Sequence, residues 1–116
     1  MTKAPETLRV SKDRTVLTFV DQGGAEFSLP AEMLRVMSPS AEVQGHSPDQ
    51  KKTLGGKRDV TISAMRPVGN YAVRIVFSDG HESGIFSWRY LRELDENRET
   101  LWADHLAALQ RLGLER

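Results

Sequence analysis

Cysteine is absent from the chain. That gap excludes disulfides, thiolate-bound zinc, iron–sulfur ligation and a cysteine nucleophile. It also fits a reducing compartment. Net charge is absent too, with 16 Lys and Arg against 16 Asp and Glu. A dedicated nucleic-acid binder carries a basic excess, so nucleic acid is not the expected partner. No apolar run approaches the ~20 residues that span a bilayer. Met1 to Leu8 lack the apolar segment of a secretory signal. The expected location is therefore the cytoplasm, with no membrane as partner.

What is present suits one soluble domain. Of 116 residues, 39% are hydrophobic and 28% charged, enough for a single core. Residues 1–7 read as a mobile tail. Leu8 to Ser11 and Thr15 to Val20 read as strands, with Leu17 and Phe19 on one face. Asp21-Gln22-Gly23-Gly24 is a hairpin turn, and Ala25 to Leu29 returns with Phe27 and Leu29 inward. Pro30 suits the first turn of a helix. Ala31 to Met37 follows, with Met33, Leu34 and Met37 as its apolar side, until Pro39 stops it.

Residues 38–58 carry no regular pattern, and a loop that long is functional or disordered. A meander comes next. Asp59 to Arg66 places Val60, Ile62 and Ala64 on one face. Pro67-Val68-Gly69-Asn70 turns the chain. Tyr71 to Ser78 places Tyr71, Val73, Ile75 and Phe77 inside and Arg74 outside. Asp79-Gly80 turns again into a strand at His81 to Phe86. Ser87 caps a helix from Trp88, with Trp88, Leu91 and Leu94 as its stripe. Asn97 caps a last helix, Arg98 to Leu112, closed by Gly113. Its stripe is Leu101, Trp102, Leu106 and Leu109.

Catalytic patterns fail one by one. An iron oxygenase needs an acid two residues after a histidine, but His46, His81 and His105 are followed at that spacing by Pro48, Ser83 and Ala107. Gly-x-Ser-x-Gly is missing. Gly55-Gly56-Lys57-Arg58 lacks the spacing and hydroxyl of a phosphate loop. His46 and His81 remain as candidate metal-ligating imidazoles, with Glu42, Asp79 and Glu82 as oxygen donors close in sequence. Solvated turn residues are the commoner reading of such spacing. His105 reads as a packing residue beside an apolar stripe. Lys51, Lys52, Lys57 and Arg58 offer a basic loop that tracks phosphates. Trp88, Tyr90 and Trp102 offer a docking face or, at helical spacing, core.

Several runs are distinctive together. They are Leu29-Pro30-Ala31-Glu32, Ser38-Pro39-Ser40-Ala41-Glu42-Val43-Gln44-Gly45-His46, Gly56-Lys57-Arg58-Asp59-Val60, Pro67-Val68-Gly69-Asn70-Tyr71-Ala72 and Asp79-Gly80-His81-Glu82-Ser83-Gly84-Ile85-Phe86-Ser87-Trp88. In these the chain resembles bacterial stand-alone proteins of the gamma-butyrobetaine hydroxylase-like N-terminal domain family. The resemblance spans residues 8–94 and leaves 95–116 as a C-terminal helix. It implies a module distinct from the iron- and 2-oxoglutarate-dependent catalytic domain. It implies a structural zinc held by three cysteines and a histidine, with His81 on the histidine. The cysteine segment corresponds to the stretch around Ser40, Glu42 and Gly45, where no cysteine stands. It implies, by fusion of related modules to Mrp-type P-loop ATPases, a link to iron–sulfur assembly.

The expected fold is α+β: a small, mostly antiparallel, partly rolled sheet packed with two or three short helices, plus the C-terminal helix. The expected function is a non-catalytic binding module, accessory to iron–sulfur or metal metabolism. Its surface is the loop bearing Ser40, Gln44, His46, Lys51, Lys52, Lys57 and Arg58, with the Asp79 to Glu82 turn. Its partner is an unidentified protein, an iron–sulfur assembly ATPase being the one the resemblance suggests. The alternatives are a divalent metal site, zinc or iron, not thiolate-bound, at His81, His46 and Glu42, or a phosphate or nucleic-acid site on the basic loop.

Overall fold

The computed structural model describes residues 4–45 and 50–116. The start of the expected tail and His46 lie outside the described residues. The chain opens with an antiparallel meander of β1 (Thr7–Val10), β2 (Val16–Val20) and β3 (Glu26–Pro30). The Asp21 carboxylate accepts the N–H groups of Gly23 and Ala25, and Gly24 takes φ of 86°, which closes the hairpin. Alternation puts Leu17, Phe19 and Leu29 in the core. β1 starts inside the expected tail, and the Glu6 N–H extends its ladder to the Val20 carbonyl.

Helix α1 (Ala31–Val36) follows Pro30, and all six of its residues are buried. Six residues cannot hold a helix alone in water, so packing makes this one. Two of the six are charged, and a buried charge needs a partner. Glu32 meets Arg116 at 2.7 Å and Arg35 meets Asp79 at 2.7 Å. The short helix α2 (Ala41–Gln44) comes next.

A second antiparallel meander is built from β4 (Ile62–Val68), β5 (Ala72–Phe77) and β6 (Ile85–Ser87). Helices α3 (Trp88–Glu96) and α4 (Arg98–Leu112) complete the chain. The α+β class therefore holds, with the strands shared between two open three-stranded sheets. Arg14 joins the sheets. It is a non-glycine residue with φ of 66°, a conformation that costs roughly 1–2 kcal/mol. Its carbonyl accepts the Ile62 N–H, and its guanidinium donates to the carbonyls of Ile62 and Ser63. Between the sheets, Leu34, Ile62, Ile75, Phe77, Phe86 and Leu91 are fully buried.

Several expectations need correcting. Residues 38–58 are not featureless: Ser40 caps α2, and the Lys52 N–H reaches the Val43 carbonyl. A bulge between Ile62 and Ala64 shifts the alternation of β4, so Met65, not Ala64, pairs with buried Ile75. Pro67 and Val68 are strand rather than turn, and proline is tolerated because β4 is an edge strand. Tyr71 is 58% exposed, since it precedes β5 and its ring lies against Gly69. The strand expected from His81 is regular only at Ile85–Ser87, and His81 and Ser83 turn their side chains toward the site described below.

On α4, Leu106 is 40% exposed and His105 takes its place in the buried stripe. His105 falls three residues after Trp102 and four before Leu109, on the same face, and its ring stacks on Trp102 at 5.1 Å. Ser87 caps α3 by accepting the Tyr90 N–H, and Gly113 ends α4 in the left-handed region, both as expected. Asn97 instead donates its side-chain amide to the Glu93 carbonyl. Trp88, Tyr90 and Trp102 are partly buried and pack against the core.

Candidate functional site

The Asp79–Gly80 turn after β5 is the platform. Gly80 takes φ of 91°, and the Asp79 carboxylate accepts the His81 N–H at 3.1 Å. Onto this turn the chain after α1 folds back. Tyr90 donates its hydroxyl to the Met37 carbonyl, and Gln44 donates its amide to the Ser38 carbonyl at 2.8 Å. Ser40 caps α2 through the Glu42 N–H and shares a 2.7 Å hydrogen bond with the Ser83 hydroxyl. The fold thus brings the two halves of the predicted surface together.

His81 is 6% exposed and has both ring nitrogens in use. Nε2 lies 2.9 Å from Ser38 Oγ, and Nδ1 lies 3.1 Å from Glu42 Oε2. Burial pulls the His81 pKa below its ordinary value and the nearby Arg35 cation adds to this, with Glu42 opposing. The ring is therefore neutral near pH 7. A carboxylate only accepts, which assigns the proton to Nδ1. Nε2 then accepts the Ser38 hydroxyl proton, and Ser38 Oγ accepts the Ser40 N–H.

Asp79 is the electrostatic centre. Its Oδ2 accepts from Arg35 Nε and Lys57 Nζ, each at 2.7 Å. Burial pushes its pKa up, but Lys57, the His81 N–H and Arg35 outweigh this and hold it down at about 2. Lys57, expected in the basic loop, is therefore held in this ion pair.

Ser38, His81 and Glu42 have the order and spacing of a nucleophile, a base and an orienting acid. Their setting is the reverse of a catalytic one. Ser38 has 0% exposure, and Gly84 closes over its hydroxyl so tightly that a Cβ there would stand 2.4 Å from Oγ. Glu42, in the position a triad buries, has a side chain 67% exposed. The arrangement fastens a segment in place.

A thiolate zinc site does not fit these residues, since the chain contains no cysteine. Of the predicted oxygen and nitrogen ligands, the fold brings Glu42 to His81. No cluster of three His, Asp or Glu with metal-binding geometry occurs among the described residues, and Asp79 is committed to Arg35 and Lys57. Ser40 and Gln44, expected on a partner surface, bond inward. Lys51, Lys52 and Arg58 remain exposed. Ser38 and Ser83 were not among the predicted site residues. Their signal was Ser-Pro-Ser before an acid and Ser-Gly before a strand, small residues where two segments of the chain pack closely. Among the described residues, no helix is long and apolar enough to cross a membrane.

The sequence profile of a family described as gamma-butyrobetaine hydroxylase-like, N-terminal, matches residues 8–92. Among curated proteins, none matches. Two solution structures determined by NMR superpose with TM-scores of 0.84 and 0.83 at 40% and 42% identity, covering 99% and 100% of this chain and 86% and 91% of theirs. A crystal structure of a protein of unknown function from Acidithiobacillus ferrooxidans, of the DUF971 family, superposes with a TM-score of 0.66 at 37% identity, over 79% of this chain and 92% of that one.

Proposed function

The chain belongs to the gamma-butyrobetaine hydroxylase-like N-terminal family, and from that premise we propose that it is a non-catalytic binding module. Its contact surface is formed by α2 and residues 50–58, held to the Asp79–Gly80 turn through Glu42 and Lys57. One observation carries this reading: His81 and Asp79 fix that surface from beneath while Lys51, Lys52 and Arg58 point their charges to solvent. A rigid scaffold presenting an adaptable polar loop is how binding residues are commonly displayed. The burial of Ser38 supports the absence of turnover. The partner we put first is an iron–sulfur assembly ATPase of the Mrp type, and the working location is the cytoplasm.

The test is capture of that ATPase, purified, by the immobilised chain. Reversing Lys51, Lys52 and Arg58 to Glu is expected to weaken capture at least tenfold, with the melting temperature unchanged. Equal capture by the reversed variant defeats the reading. Phosphate or nucleic-acid binding by the same side chains predicts instead a steep loss with salt.

A second reading has one observation in its favour, the approach of Glu42 to His81 Nδ1 at 3.1 Å. On it, a divalent ion, zinc or iron, is held by Glu42 and His81, with His46 as the third predicted ligand. An ion that binds only the folded chain must stabilise it. Elemental analysis is expected to find the ion, and a chelator to lower the melting temperature. A metal-free preparation whose melting ignores added zinc and iron removes the idea.

A further inference from the structure

Two arginines stand directly opposite each other on the outward face of the second sheet. Arg66 on β4 pairs in register with Arg74 on β5, and Arg74 with Ile85 on β6. Directly opposed residues share a face with Cβ atoms about 4.5–5.5 Å apart, where like charges are destabilising. Both arginines are exposed. Among the described residues, no carboxylate pairs with either, whereas Arg9, Arg35, Arg92 and Arg116 meet Glu26, Asp79, Asp21 and Glu32. Around the pair the face is apolar: Ala64, Val68 and Val76 are half-buried, and Ile85 is 40% exposed.

Neither edge of this sheet is well suited to a partner strand: β6 is only three residues long, and β4 is obstructed. The Arg14 guanidinium occupies the Ile62 and Ser63 carbonyls of β4, and Pro67 has no N–H to offer. An occupant must therefore lie on the face. Two unneutralised guanidiniums beside an exposed isoleucine call for two carboxylates beside an apolar side chain. Arginine is enriched at interface hot spots and binds carboxylates in a fixed fork geometry. Single-stranded nucleic acid is disfavoured, because the pairing rows of this face hold no aromatic ring to stack a base.

We infer that the outward face of β4, β5 and β6 docks an acidic protein surface, with Arg66 and Arg74 receiving its carboxylates and Ile85 its apolar contact. This surface shares no residue with the Lys51–Arg58 segment, so either proposal can fail alone.

The probe is a helical peptide of about sixteen residues with Glu at i and i+4, a spacing that puts both carboxylates on one side, and Leu beside them. Its control carries Gln for Glu. With the full chain, the Glu peptide is expected to shift the Arg66 and Arg74 Nε–Hε resonances, and the Gln peptide is not. Arg74→Glu is expected to weaken binding at least tenfold without lowering the melting temperature, because it relieves the like-charge pair. Reversing Lys51, Lys52 and Arg58 is expected to leave this binding unchanged. Absence of shifts, binding that survives Arg74→Glu, equal binding of the Gln peptide, or tighter binding of an oligothymidylate overturns the inference. So does a fall in melting temperature on Arg74→Glu, which makes the pair structural.

Discussion

Replacing Gly84 with alanine is expected to destabilise the fold by about 2 kcal/mol, within the range for forcing a methyl group into a filled core. The backbone conformation is not the reason, because Gly84 does not take a left-handed φ. The reason is space. A Cβ would stand 2.4 Å from Ser38 Oγ and 3.1 Å from the Phe86 ring. The Ser38 hydroxyl cannot swing aside without leaving the His81 ring and the Ser40 N–H. Phe86 is itself fully buried. Ser38→Ala alone leaves His81 Nε2 unpaired in a buried place, which costs about 1–2 kcal/mol. The double variant separates clash from hydrogen bond. The added methyl would lie at an ordinary 3.5 Å from Ser38 Cβ. The 3.1 Å approach to Phe86 remains, so the double is expected to cost about 1 kcal/mol more than Ser38→Ala, and about 1 kcal/mol less than the sum. Denaturant unfolding of the four proteins measures this. Strict additivity means that Gly84 and Ser38 are not coupled through this contact.

The same contact explains why the sequence told so much of the fold and less of the site. Leu17, Phe19, Ile62, Ile75 and Phe77 could be placed in the core because strand alternation and turn chemistry agree along both meanders. Ser87 and Gly113 were legible because caps have local rules. Failures came where geometry is set by something distant in sequence. The bulge that exchanges Ala64 for Met65 has no local mark. His105 was passed over in the α4 stripe because a polar residue was not expected there, though its spacing was correct. His81 and Glu42 were singled out as donors, but their use depends on a segment more than thirty residues earlier folding back onto the turn. Ser38 looked like an ordinary loop serine. Only its position beneath Gly84, 43 residues along the chain from the imidazole it serves, gives it a role.

Asp79→Ala is expected to be the more damaging change, at about 3 kcal/mol, because it breaks a partly buried ion pair by removing one partner. Lys57 can turn toward water, but Arg35 is 9% exposed, and its Nη1 already lacks a hydrogen-bond partner. Without Asp79 its Nε loses its acceptor as well, and the His81 N–H loses the carboxylate that shapes the turn. Asp79→Asn keeps one acceptor but puts an NH2 donor where the other carboxylate oxygen accepts, and it removes the charge, so it is expected to cost less than Asp79→Ala, about 2 kcal/mol. Acid unfolding distinguishes the two causes. The folded Asp79 pKa is about 2 against 3.8 for the free side chain, so the unfolded chain takes up that proton first. The Asp79 contribution is complete above pH 3.8 and is lost as pH falls toward 2, a loss of about 2 kcal/mol. It is expected in the parent chain and not in Asp79→Asn. A separate decline begins at higher pH. His81 and His105 are both depressed below 6.5, chiefly by burial, so stability is complete above pH 6.5 and falls as pH drops below it. His81→Gln is expected to flatten part of that upper limb and leave the Asp79 limb intact, since Asp79 keeps Arg35, Lys57 and the backbone N–H at position 81. Melting temperatures followed from pH 8 to 2.5 resolve both limbs. A parent curve as flat as that of Asp79→Asn below pH 3.8 refutes the assignment of Asp79 as the charge that holds this corner of the fold together.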